Sequence, residues 1–107
     1  MLRRGLMLSS VTLATLLAVA VPAQAAEVDV TFGPTSIGDY CAAKVSSSAW
    51  IGFYEAGGLR CYSGGPGGNL RYAGSGDPYL ACKHLTTDVV MSARRGPSDS
   101  LVCRVIR

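Results

Sequence analysis

The chain has 107 residues, with 10 Lys or Arg against 7 Asp or Glu, a single His and four Cys. Setting Arg3 and Arg4 aside leaves eight basic residues against seven acidic ones, a balance that argues against a nucleic-acid partner. Four cysteines in so short a chain, with no Cys-x-x-Cys pair, point to disulfides rather than to a metal site.

Residues 1–25 read as an export leader. Arg3 and Arg4 form a positive start, Leu6 to Val21 is mostly apolar, and Ala23-Gln24-Ala25 supplies the small-x-small pattern that signal peptidase cuts. The expected product, residues 26–107, is one small disulfide-bonded domain, periplasmic or secreted, with no membrane span after cleavage. A core of that size is marginal, and covalent staples make up the shortfall.

Glu27 to Phe32 alternates polar and apolar with period two, which predicts a half-buried strand. Gly33-Pro34 stops it. Thr35 or Ser36 is then expected to cap a helix from Ile37 to Lys44, with Asp39 in a capping-box position and Ile37, Tyr40 and Cys41 turned inward. Ala49 to Glu55 reads as a strand with Trp50 as a candidate core residue, Ala56-Gly57-Gly58 as a turn, and Leu59 to Tyr62 as the hairpin partner.

Cys61 to Cys82 encloses a glycine-rich bridge, expected to be a mobile connector with a brief strand at Leu70 to Tyr72. Asp77 followed by Pro78 predicts the start of a second helix, Pro78 to Leu85. Val89 to Arg94 is the next strand, Arg95 to Asp99 a turn, and Ser100 to Ile106 the closing strand.

The order helix, strand, strand, with a cysteine on the helix and another on the second strand, recurs faintly in the two halves. The fold class is therefore α+β, a small stapled domain of two short helices and β-hairpins, with an all-β meander as the alternative. Four cysteines allow three pairings, and equivalence of the halves favours Cys41–Cys61 with Cys82–Cys103.

Candidate functional residues are few. Arg60, Tyr62, Arg71, Tyr72 and Tyr79 cluster around the glycine bridge, and such side chains anchor binding surfaces and stack on sugars or bases. His84, two residues from Cys82, is the candidate base for a hydrolase or thiol enzyme. The carboxylates show no spacing that selects an acid–base pair. The glycines fit neither a Walker pattern nor a dinucleotide fingerprint, so no cofactor is expected.

Glu27, Asp29 and Asp39 make the first segment acidic, and Arg94, Arg95, Arg104 and Arg107 make the last one basic. A dipolar surface of that kind can steer charged partners, but an ordinary solvated surface with some asymmetry is the expectation. The leading expectation is an exported binding or inhibitor-like module whose partner is another exported protein or an envelope glycan. An enzyme built on His84 and an envelope or stress protein without a specific ligand are the alternatives.

Overall fold

The structure is a computed structural model that describes residues 25–107. Residues 1–24, nearly all of the expected leader, lie outside the described residues. Strand β1 (Glu27–Phe32) has the alternating burial that its period-two sequence predicts. Pro34 takes the first position of helix α1 (Pro34–Lys44), where a missing N–H goes unmissed. The helix thus begins one turn before Ile37. Gly33 is its N-cap and no side chain caps it, so Thr35 and Ser36 lie within the helix and Asp39 is exposed on its surface rather than capping it.

Strands β2 (Ile51–Glu55) and β3 (Gly58–Gly64) form the expected hairpin. Ala56 and Gly57 turn between them with φ of 48° and 84°, the left-handed pair that a tight hairpin of this hand requires. A 3₁₀ turn, Pro66–Gly68, leads into strand β4 (Leu70–Gly76). The glycine bridge is therefore part of the architecture: its second half is a strand hydrogen-bonded to β3. Asp77 caps helix α2 (Pro78–Leu85), its Oδ1 accepting from the N–H groups of Tyr79 at 2.8 Å and Leu80 at 3.1 Å. Strand β5 (Val89–Arg95), a second 3₁₀ turn and strand β6 (Leu101–Ile106) complete the chain.

The fold is α+β, with two three-stranded antiparallel sheets ordered β1-β6-β5 and β2-β3-β4. Both segments proposed as helices are helical, which removes the all-β meander. The order strand, helix, strand, strand occurs twice along the chain. Each hairpin stays in its own half, but the leading strands are exchanged: β1 pairs with β6, and β4 pairs with β3. The registers correspond. Phe32, two residues before Pro34, pairs with Leu101; Gly76, two residues before Pro78, pairs with Leu59. The faint repeat seen in the sequence is thus present as topology, with one further strand in each unit.

The disulfides are Cys41–Cys61 and Cys82–Cys103, the pairing that equivalence of the halves favours, and no cysteine is free. Each ties a helix to the middle strand of a sheet, α1 to β3 and α2 to β6. One core cluster draws on both halves. Of its eight largest fully buried side chains, four are half-cystines and the others are Ile37, Leu59, Leu101 and Val105.

Trp50 departs from expectation. It precedes β2 and is 52% exposed, so it is not a core residue. The cause is the closeness of α1 to β2. A Cβ on Gly38 would stand 2.0 Å from the Trp50 carbonyl oxygen, and one on Gly52 would stand 2.5 Å from Ile37 Cγ2. Helix and strand pack backbone to backbone, with no space between them for an indole.

Gly38→Ala should therefore destabilise the fold by about 3 kcal/mol, since the helix must lift off the strand. Cys82→Ser should cost about 2–5 kcal/mol. Urea denaturation of the oxidised variants measures both. A Gly38→Ala midpoint equal to that of the parent would refute the close packing.

Candidate functional site

Along β3, Leu59, Cys61 and Ser63 are buried, so Arg60 and Tyr62 stand on the outer face. Register places β2 and β4 residues beside them in two rows, Ile51–Tyr62–Tyr72 and Phe53–Arg60–Ser75. The Tyr62 ring meets Phe53 edge-on at 5.9 Å and Tyr72 edge-on at 6.0 Å. The Arg60 guanidinium carbon lies 5.5 Å from the centre of the Tyr72 ring. Tyr62 donates its hydroxyl to Glu55 Oε1 at 2.6 Å, and that bond, with partial burial, holds the phenol above its ordinary pKa. Tyr72, Leu70 and Trp50 are about half exposed, and the Trp50 indole nitrogen lies beside Gly64 at one end of the face.

The matching rows on the other sheet are Ser92–Arg104–Asp29 and Arg94–Val102–Thr31. Here the outer face is ionic. Asp29 is held by Arg94 at 2.9 Å and Arg104 at 3.1 Å, and Glu27 reaches Arg104 at 3.3 Å. Arg94 crosses the middle strand to reach Asp29, and Val102 in its row is only 5% exposed. Arg107 pairs with Asp88 at 2.7 Å, and Arg95 with Asp99. Glu27 and Asp29 of the acidic first segment are therefore neutralised strand on strand by Arg94 and Arg104 of the basic last one, while Asp39 lies apart on α1. Hydrogen bonds from Arg94 and then Arg104 lower the Asp29 carboxyl from an ordinary 3.8 to about 2.

Of the residues singled out from sequence, Arg60, Tyr62 and Tyr72 meet on one face. Arg71 does not join them, because it pairs with Ser63 and so falls on the opposite side of β4. Tyr79 lies on α2, with the Lys83 ammonium 5.7 Å from its ring centre. Phe53 and Trp50 went unidentified as face residues. The tight hairpin turn carries the signal for Phe53, since it sets Phe53 opposite Arg60.

His84 is exposed on the last turn of α2, its ring 5.9 Å from that of Tyr40. Among the described residues it makes no hydrogen bond to a carboxylate or hydroxyl that would orient it as a base. Cys82 is bonded to Cys103, which removes the thiol chemistry proposed for it. Among the described residues no group of three or more His, Cys, Asp or Glu is placed to hold a metal ion, and no helix is long and apolar enough to cross a membrane. The chain matches no family model, no curated protein and no solved structure.

The depressed Asp29 carboxyl sets an acid limit. Its ion pairs stabilise fully above the ordinary carboxylate range and are lost as pH falls toward about 2, when the folded form is protonated. The melting temperature should be nearly level from about pH 7 to 5 and fall below about pH 4. Asp29→Asn should lower it at neutral pH and flatten the acid decline. An unchanged acid profile in that variant would show that the ionic face does not govern it.

Proposed function

We propose that this protein is a small exported binding module, inhibitor-like in build, whose contact surface is the outer face of the β2-β3-β4 sheet. The carrying observation is the contrast between the two sheets. Topology and disulfide placement correspond, and Leu59 and Leu101 hold matching inward positions, so the two outer faces can be compared row by row. One carries Asp29, Arg94 and Arg104, and the other carries half-buried Phe53 and Tyr62 with exposed Arg60 and Tyr72, beside Trp50. Core filling does not explain aromatic rings on the solvent side of a sheet whose counterpart is stable with ions there.

Trp, Tyr and Arg are the residue types that dominate binding energy at protein interfaces. The Tyr62–Glu55 bond and the stacked Arg60 hold the face in one arrangement before contact, which reduces the ordering cost of association. Disulfides belong to oxidising compartments, which agrees with the leader expected in residues 1–25. The partner in this reading is another exported protein, one that offers a carboxylate to Arg60, which has no ion pair among the described residues. Arg71 and Tyr79 lie off this face and drop out of the contact.

Immobilised oxidised protein should capture a protein from culture medium or periplasm, and Trp50 emission should shift to shorter wavelength on contact. A Trp50→Ala/Tyr72→Ala double variant should lose capture, while Trp50→Ala alone costs less than about 1 kcal/mol of stability, as surface substitutions do. Thr31→Ala, on the ionic sheet, should capture normally. Retention of an envelope glycan in place of a protein, or capture that survives the double variant, would overturn the assignment.

A further inference from the structure

A second site lies between the helices. Ion pairs occupy Arg94, Arg95, Arg104 and Arg107, whereas Lys44, Arg60, Arg71 and Lys83 have none among the described residues. Two of these four, Lys44 from α1 and Lys83 from α2, line one open groove of about 540 Å³ with His84, Tyr40 and Leu80. Each helix has reason to carry a cation in its last turn, where the macrodipole is negative. That accounts for one cation per helix. It does not account for cations of both helices, with a histidine, converging on one cavity that no carboxylate lines.

The rest of the groove is apolar and built to stay in place. Tyr40 is 4% exposed, and its hydroxyl accepts the Asp77 N–H at 3.3 Å, which leaves the ring as a fixed floor. Leu80 is 53% exposed and forms a wall. Asp39, next to Tyr40 in the chain, does not line the groove, and Asp77 is committed to capping α2.

We propose that this groove binds a small amphiphilic anion. Its carboxylate or phosphate sits between the Lys44 and Lys83 ammonium groups, and its apolar body lies on Tyr40 and Leu80. A cavity of several hundred Å³ suits a ligand of that size, and charge-assisted hydrogen bonds from two ammonium groups supply orientation. The head group comes either from a soluble amphiphile or from a lipid, and the chemistry recognised is the same.

The test is calorimetric titration of the oxidised protein with decanoate and with decyl phosphate, each below its micelle concentration. A parallel arm floats the protein with anionic and with zwitterionic phospholipid vesicles. Decanol and inorganic phosphate should each bind at least about tenfold more weakly than the amphiphiles, because each lacks one half of the recognition. Lys44→Met/Lys83→Met should weaken binding at least about tenfold, and Lys44→Arg/Lys83→Arg should restore most of it without changing the melting temperature. Flotation with anionic vesicles that the methionine variant loses would assign the head group to lipid; binding of soluble amphiphile alone would assign it to a free molecule. Equal affinity for decanol, undiminished binding by the methionine variant, or no binding in any arm would overturn the site.

Discussion

A sulfur cross-link from a helix to the middle strand of a sheet is the constraint on which the structure turns, and it occurs twice. The described chain is too short to cover both faces of two sheets, and Tyr40 is the one aromatic side chain buried in its core. Without bulky residues to hold a helix at the usual distance, α1 settles onto β2 through Gly38 and Gly52. Such close contact buries little apolar area. In the chain-entropy account, each loop of 20 or 21 residues contributes about 3 kcal/mol by restricting the unfolded chain, on the order of what a core this size supplies.

The disulfides act within the halves, so they do not join one half to the other. That falls to the exchanged strands. β1 leaves its own half to pair with β6, β4 leaves its own to pair with β3, and both pairings are antiparallel, the second with a bulge between Cys61 and Tyr62. Separating the halves would break both ladders at once. Short elements thereby gain a cooperativity that neither half has alone. The ionic face reinforces the same seam, since Asp29 and Glu27 on β1 are held by Arg104 on β6 and by Arg94 beyond it.

What could be read from sequence was local. The alternation of Glu27 to Phe32, the cap and proline at Asp77-Pro78, and the turn at Ala56-Gly57 each involve neighbours whose chemistry settles their conformation. The disulfide pairing was legible because two weakly similar halves carry cysteines at the same places. What escaped is non-local. Nothing near Leu70 to Gly76 announces that it pairs with β3, because its glycines suggest a flexible link and only the partner strand orders them. Trp50 resembles a core residue until Gly38 is known to occupy the space beneath it. Arg71 and Tyr72 are adjacent, and strand alternation alone sends one to the aromatic face and the other away. The groove joins residues of two helices that no sequence spacing connects.

Both candidate surfaces lie where the two halves cease to correspond. The shared positions are internal: Pro34 and Pro78 start the helices, Leu59 and Leu101 open the middle strands, and four cysteines bind one to the other. Some internal positions differ too, Phe32 against Gly76 and Ser63 against Val105, but the two candidate surfaces draw on external ones. Asp29 and Arg104 stand where the other sheet has Tyr72 and Tyr62, and Ala42 and Ala43 follow Cys41 where Lys83 and His84 follow Cys82. Substitutions at exposed positions usually alter stability by only a few tenths of a kcal/mol, so a scaffold secured from within leaves its outer residues free to differ. The aromatic face and the cationic groove both fall where the outer residues of the two halves differ, and both proposals rest on that divergence.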